Sequence, residues 1–194
     1  SVALQCVSVA AVASLVWVAV GYTLAFGSLS GGWIGAGNAL FLNGLNAVRG
    51  GTAIPESAFA LFQMTFAIIA PALMVGAWAE RARFSWVLGF AGLWVLIVYA
   101  PVAHWIWGGG WLASQFGTLD FAGGLVVHTT SGVSALEVTL LLGPRKTFHK
   151  RPDLHHAPAI TVMGAALLWV GWFGFNGGSA LGANSNAANA ILST

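Results

Sequence analysis

The residues best suited to chemistry lie in one of the most apolar parts of the sequence, where His128 follows Asp120 in the run 120–128. A histidine ring nitrogen can donate or accept a hydrogen bond. Placing such an ionisable group in hydrocarbon costs on the order of several kcal/mol unless it faces a partner or a polar cavity. We therefore expect His128 to line a path for a polar solute, with a hydrogen bond between two helices as the competing interpretation.

The composition indicates an integral membrane protein. Of the 194 residues, 58% are hydrophobic and only 6% are charged, whereas soluble domains carry about a quarter charged residues. The formal net charge of +2 gives no indication of a nucleic-acid partner. The sequence offers no nucleophile–base pair, metal-ligand cluster or phosphate-binding glycine loop, so we predict neither an enzyme nor a bound cofactor or metal.

Five apolar runs are long enough for the roughly 20 residues that a helical membrane crossing needs. The runs lack the alternating pattern of a membrane β-barrel, so we predict α-helices. Small residues recur in the fourth and fifth runs, which favours close helix packing. The predicted fold class is therefore all-α, with membrane spans over residues 2–26, 57–79, 84–103, 121–143 and 158–175.

The positions of the basic residues predict the orientation of the bundle. Six of the seven Lys and Arg residues fall in the loops 80–83 and 144–157, which lie on the same side of the five predicted spans. Loops rich in Lys and Arg face the cytoplasm. The two opposite loops contain only one basic residue, Arg49, and Trp107 with its neighbouring tryptophans is typical of a membrane interface.

This orientation brings several aromatic and polar residues together by depth. With a rise of 1.5 Å per residue, Phe62 and Phe66 lie roughly 8 and 14 Å below the outer end of the second span. His128 lies about 12 Å below the outer end of the fourth span. Trp107 and Ser179 follow the third and fifth spans at the outer surface. An external indole and hydroxyl would thus stand above two phenylalanines and a histidine.

Such layering suits a small cation that must lose its charge to cross. A tryptophan face attracts an ammonium-like ion, and a serine hydroxyl can accept one of its hydrogen bonds. The apolar rings below disfavour the charged form, because desolvation drives a cationic acid toward its neutral base. Taken singly, each of these residues is more typical of a structural role: Phe62 and Phe66 of helix packing, Trp107 of an interfacial anchor and Ser179 of a helix cap.

Several ordered motifs resemble the Amt/Mep branch of the ammonium transporter family, and together they extend over nearly the whole chain. The resemblance implies transmembrane ammonium transport rather than enzymatic activity. Its motifs are FQMTF at 62–66, ERARF at 80–84, WGGG at 107–110, LDFAGGLVVH at 119–128 and GWFGFN at 171–176.

The resemblance also implies a role for individual residues. Trp107, Ser179 and Phe62 match the external ammonium-binding site, and Phe62 with Phe66 matches a stacked gate. His128 matches the first of two paired pore histidines. Gln63, Trp172 and Phe175 match residues that line or support the vestibule and pore, and Asp120 matches an acid near the binding site. From its position alone, Asp120 fits a helix N-cap.

The resemblance further implies an assembly larger than this chain. Family members are homotrimers of eleven-helix subunits built from two inverted halves, and PII-type proteins commonly regulate them at the cytoplasmic face. This chain resembles the second through sixth helices, so we expect a partial sequence of a plasma-membrane transporter. A pore between two halves cannot close with one, and we therefore expect no conduction by this segment alone.

Three functions remain open at this point: ammonium uptake, ammonium sensing coupled to a signalling module, and a helical membrane scaffold. Glu137 departs from the family pattern and is interpreted as a carboxylate that snorkels to the cytoplasmic boundary, with a proton relay as the alternative. The remaining histidines, His104, His149, His155 and His156, lie in or near loops. His155 and His156 lack companion ligands at metal spacing, and we interpret these histidines as solvated.

Overall fold

The computed structural model describes residues 1–30, 32–37, 39–145, 148 and 157–194. Within these residues, the structure contains five long apolar helices, two short α-helices, a short 3-10 helix at Leu40–Leu42 and a two-stranded hairpin. The elements are α1 (Val2–Phe26), β1 (Leu29–Ser30), β2 (Gly35–Ala36), α2 (Glu56–Trp78, with a turn at Met74), α3 (residues 84–106), α4 (Trp111–Phe116), α5 (Gly124–Leu142), α6 (Pro158–Gly178) and α7 (Ser185–Leu192).

The best-packed part of the bundle lies where α1 contacts α2 and α3. Trp17 of α1 is fully buried there, and its indole N–H donates to the carbonyl oxygen of Ala60 on α2 at 3.1 Å. The same ring meets Tyr22 and Tyr99 edge-to-face, with centroids 5.8 and 6.0 Å apart. Because Tyr99 belongs to α3, one side chain holds three helices together.

Helix α5 joins this group through short polar side chains. The buried Ser131 donates to the carbonyl oxygen of Ala70 on α2 at 2.8 Å. The Trp94 indole of α3 donates to the Ser134 hydroxyl at 2.9 Å. Hydrogen bonds between membrane helices contribute about 0.6 kcal/mol on average. Their main effect is therefore to fix the register of α5 against α2 and α3.

The helix ends at the outer surface differ from those expected from hydropathy. Helix α3 ends at Ile106, beyond residue 103. Helix α5 begins at Gly124 rather than at residue 121, because the preceding loop turns at Gly123, whose φ of 97° favours glycine. Helix α6 extends to Gly178, which places Ser179 at its C-terminal end.

Much of the helical surface is apolar and exposed, above all on α6. Leu167 and Val170 of this helix are 73% and 67% exposed, and such a surface is stable against lipid or further membrane helices rather than water. Five helices in the described part of the chain are long and apolar enough to cross a bilayer. The predicted all-α integral membrane fold is confirmed.

The two basic loops approach each other at one end of the bundle. Arg81 donates to the carbonyl oxygen of Gly143, at the end of α5, at 2.6 Å. Arg145 donates to the carbonyl oxygen of Gly76, near the end of α2, at 3.2 Å. The remaining basic residues and loop histidines of the second loop lie outside the described residues; they are Lys146, His149, Lys150, Arg151, His155 and His156.

The expectation that His104 is solvated is wrong. Helix α3 continues past it to Ile106. His104 is buried, with its Nδ1 3.0 Å from the carbonyl oxygen of Ala25 on α1.

We expect Trp17→Phe to lower the free energy of unfolding by about 2 kcal/mol, because it removes the hydrogen bond to Ala60 and leaves a void among α1, α2 and α3. Thermal melting of the detergent-solubilised protein measures the change. Trp86→Phe is the matched control, since Trp86 is 41% exposed. Equal melting temperatures for the two variants would contradict the central position assigned to Trp17.

Candidate functional site

A cavity of about 360 Å³ lies at the end of the bundle opposite the basic loops. It is formed where α2, the residues after α3, the loop before α5 and the end of α6 meet. Its lining is mostly aromatic and apolar, with a few polar and charged groups. The lining residues are Arg49, Phe59, Phe62, Gln63, Phe66, Trp107, Leu119, Asp120, Phe121, Ser179 and Leu181.

Trp107 is positioned by its own hydrogen bond and by the glycines that follow it. Its indole N–H donates to the backbone carbonyl oxygen of Asp120 at 2.7 Å. At Gly108, a Cβ atom would lie 2.1 Å from the carbonyl oxygen of Ala25, so only glycine permits this close approach to α1. The indole therefore lies on the cavity wall in an orientation that the backbone fixes.

Asp120 organises the start of α5. Its Oδ1 accepts from the backbone N–H groups of Gly123 and Gly124 at 2.7 and 2.8 Å. Its Oδ2 accepts from those of Leu125 and Val126, both at 2.8 Å. These four amides lack acceptors within the helix, and the carboxylate pairs with all of them. Asp120 thus lies on the cavity wall with its side chain committed to the helix start.

The phenylalanines are arranged differently from the expected stack of Phe62 on Phe66. These two rings meet edge-to-face, with centroids 4.9 Å apart and planes at 78°. The nearest ring to Phe66 is that of Phe175 on α6, at a centroid distance of 4.1 Å and with the planes tilted by 35°. The helical spacing correctly placed Phe62 and Phe66 on one face of α2. The ring closest to Phe66, however, is Phe175 of α6.

A continuous series of rings runs from the cavity to His128. Phe66 contacts the Trp107 indole, with centroids 5.4 Å apart. On its other side, Phe175 stacks on Trp172 at 5.1 Å, and Trp172 lies 5.8 Å from the His128 ring. His128 belongs to a π-helical turn, Gly124–Thr129, at the start of α5. Its ring is exposed on this chain but lies on the same side as the aromatic series.

Two other polar side chains on the cavity wall can accept hydrogen bonds. The Ser179 hydroxyl donates to the carbonyl oxygen of Phe175 at 2.9 Å, which leaves its oxygen lone pairs available. Gln63 is only 6% exposed, and its Oε1 has no hydrogen-bond partner within the described part of the chain. An unpaired buried carbonyl oxygen is costly unless a ligand or water fills the need.

Sequence reasoning missed Arg49 and Glu56 as residues of this region. Their side chains form an ion pair of 2.9 Å, and Arg49 lines the cavity. The sequence did contain a signal for this pair. Arg49 and Glu56 have opposite charges and lie on either side of a turn that contains two glycines, directly before the second apolar span. In the described residues, no group of three His, Cys, Asp or Glu side chains is placed to hold a metal ion.

Known proteins resemble this chain in sequence and in fold. The profile of the Ammonium Transporter Family matches residues 1–194. Ammonium transporter 1 of Dictyostelium discoideum is 47% identical over 200 residues, which cover 100% of this chain and 43% of that protein. Mep2 of Candida albicans has a crystal structure that matches with a TM-score of 0.86 at 39% identity, covering 95% of this chain and 42% of that one.

A solved structure titled as a sensor Amt protein also matches, with a TM-score of 0.86 at 35% identity. The match covers 98% of this chain and 49% of that one. The chain therefore spans less than half the length of these relatives, and its five helices form part of their fold. By its sequence and its architecture, the chain belongs to the ammonium transporter family.

Proposed function

We propose that this chain supplies one half of an ammonium transport path. The observation that carries the proposal is the unbroken series of rings from Trp107 through Phe66, Phe175 and Trp172 to His128. It begins at a cavity with hydrogen-bond acceptors and ends at an imidazole. A cation that enters the cavity meets successively fewer polar groups, as a path for a neutral solute requires.

Recruitment takes place in the cavity. The Trp107 face attracts the ammonium ion through its quadrupole. The Ser179 oxygen and Gln63 Oε1 accept hydrogen bonds from the N–H groups of ammonium. Ser179 uses its hydroxyl as a donor to Phe175, and Gln63 Oε1 accepts no hydrogen bond within the described residues, so both oxygens are available as acceptors. Phe62 forms part of the same wall.

The gate is formed by Phe66 and Phe175, with Phe62 above them. The two rings have centroids 4.1 Å apart and carry no nitrogen or oxygen. A passing ammonium ion therefore leaves its hydration shell behind and gives its proton to water in the outer cavity before it enters. The neutral ammonia then reaches His128, whose ring nitrogens can accept or donate a hydrogen bond. The charged form is excluded by desolvation, and metal ions, which have no proton to lose, are excluded with it.

The remaining wall of the path belongs to the second half of the transporter. His128 and much of α6 are exposed on this chain, and this exposure supports a second half that covers them. We propose a homotrimer in the plasma membrane with loops 80–83 and 144–157 in the cytoplasm, where a PII-type protein can bind. These features follow from the family resemblance and from the basic loops.

Reconstitution of the full-length protein in liposomes tests the transport proposal. We expect an ammonium pulse to produce a flux that His128→Asp abolishes, because a carboxylate in the apolar path traps or repels the passing solute. Trp107→Leu should reduce the flux at low ammonium concentration by weakening recruitment. Trp105→Leu is the matched control, since that indole donates to the Trp33 carbonyl oxygen outside the cavity lining. Ammonium binding without flux in the unmodified protein would favour sensing.

We expect Asp120→Asn to lower both flux and stability. An amide offers one acceptor oxygen where the carboxylate offers two, so about half of the four backbone bonds at the start of α5 are lost. The expected loss of stability is about 2 kcal/mol, measured by thermal melting beside liposome flux. Asn184→Ala removes the cap of α7 as a control. A normal flux in Asp120→Asn would contradict the link between this cap and the site.

We expect Gln63→Leu to raise the half-saturating ammonium concentration about fivefold, as the loss of one hydrogen bond of about 1 kcal/mol would. The melting temperature should stay constant or rise, because the substitution removes a buried unpaired oxygen. Met64→Leu, at the neighbouring position on α2, is the control. An unchanged half-saturating concentration in Gln63→Leu would show that Oε1 takes no part in recruitment.

A further inference from the structure

A fixed positive charge lies on the wall of the proposed cation site. The Arg49 guanidinium lines the cavity and lies over the Phe59 ring, 4.1 Å from its centroid, and 5.4 Å from that of Phe26. Its side chain is 25% exposed. A cation on the wall should repel ammonium, and at this degree of burial the repulsion is only partly screened by solvent.

Glu56 is placed to cancel that charge. Its Oε1 accepts from Arg49 Nη1 at 2.9 Å, and its side chain is 17% exposed. The Tyr22 hydroxyl donates to the same oxygen. Glu56 opens α2, so its carboxylate is held from α1 by Tyr22 and from the loop by Arg49, and it has little freedom to leave the pair.

The loop between the two charges is closed by its own hydrogen bonds. The Arg49 N–H donates to the Ile54 carbonyl oxygen at 2.8 Å, and the Glu56 N–H donates to the Ala47 carbonyl oxygen at 2.9 Å. The Thr52 hydroxyl donates to the Arg49 carbonyl oxygen at 2.9 Å. Arg49 is therefore presented to the cavity by a defined backbone rather than by a loose loop.

The sum of the charges around the cavity indicates what the pair does. Asp120 and Glu56 contribute two negative charges and Arg49 one positive charge, which leaves one net negative charge. Without Glu56 the sum would be zero, and the nearest uncancelled charge would be the guanidinium. We propose that Glu56, held by Tyr22, neutralises Arg49 and thereby sets the affinity of the outer cavity for a monovalent cation. This inference rests on the proposed ammonium recruitment site.

The test uses three variants of the full-length protein: Glu56→Gln, Arg49→Met, and the double variant. Ammonium affinity is read from the rise in melting temperature with ammonium chloride, relative to sodium chloride at equal ionic strength. We expect Glu56→Gln to weaken binding on the order of tenfold, less so at high ionic strength. Arg49→Met should bind equally well or more tightly, and the double variant, which regains one net negative charge, should return to within about twofold of the unmodified protein.

A purely structural role for the ion pair predicts a different result for the double variant. The double variant lacks the pair just as Glu56→Gln does, so it would bind no better than that single variant. That result, or an unchanged affinity in Glu56→Gln, would overturn the proposal. Glu80→Gln, on the exposed basic loop, is the matched charge control. Binding is measured apart from flux. If the variants follow the expected order of affinities but the unmodified protein does not transport ammonium, only the transport proposal is contradicted.

Discussion

The four backbone amides at the start of α5 impose the constraint on which the site depends. An unpaired amide near the membrane interior costs several kcal/mol, so this helix cannot begin without an acceptor. The Asp120 carboxylate pairs with all four amides. The backbone carbonyl oxygen of the same residue accepts from Trp107. One residue therefore fixes the turn that carries His128 and the indole on the cavity wall, and neither can shift without the other.

The aromatic series below the cavity fills the space between helices and also makes the passage unfavourable for a charged solute. Phe66 is buried against Trp107 on one side and Phe175 on the other. These contacts fill space between α2 and α6 that would otherwise admit water. Because the rings contribute no strong hydrogen-bond acceptors, the same packing makes the passage unfavourable for a charged solute. Ser179 lies near the cavity end of the series, and His128 lies at its other end.

Hydropathy and motif order were enough to predict the five helices and most of the residues around the cavity. A long run of apolar residues indicates that a helix crosses the membrane, and the spacing of residues along the helix indicates which of them share a face. Neither signal tells which side chain from another helix meets that face, so the contact between Phe66 and Phe175 could not be derived from the FQMTF motif. Hydropathy also does not detect the positive φ at Gly123, where the chain turns before α5 begins at Gly124.

The Arg49–Glu56 pair shows why an outer cation site can contain an arginine at all. The guanidinium lies over Phe59 and closes the loop onto the bundle, contacts that a neutral side chain would not reproduce. That packing brings an unwanted positive charge to the cavity wall. A carboxylate within 2.9 Å removes the charge without removing the packing. In the ion pair, the guanidinium keeps its contact with the Phe59 ring while Glu56 neutralises its charge. Arginine therefore contributes packing at the mouth of the path without repelling a cation.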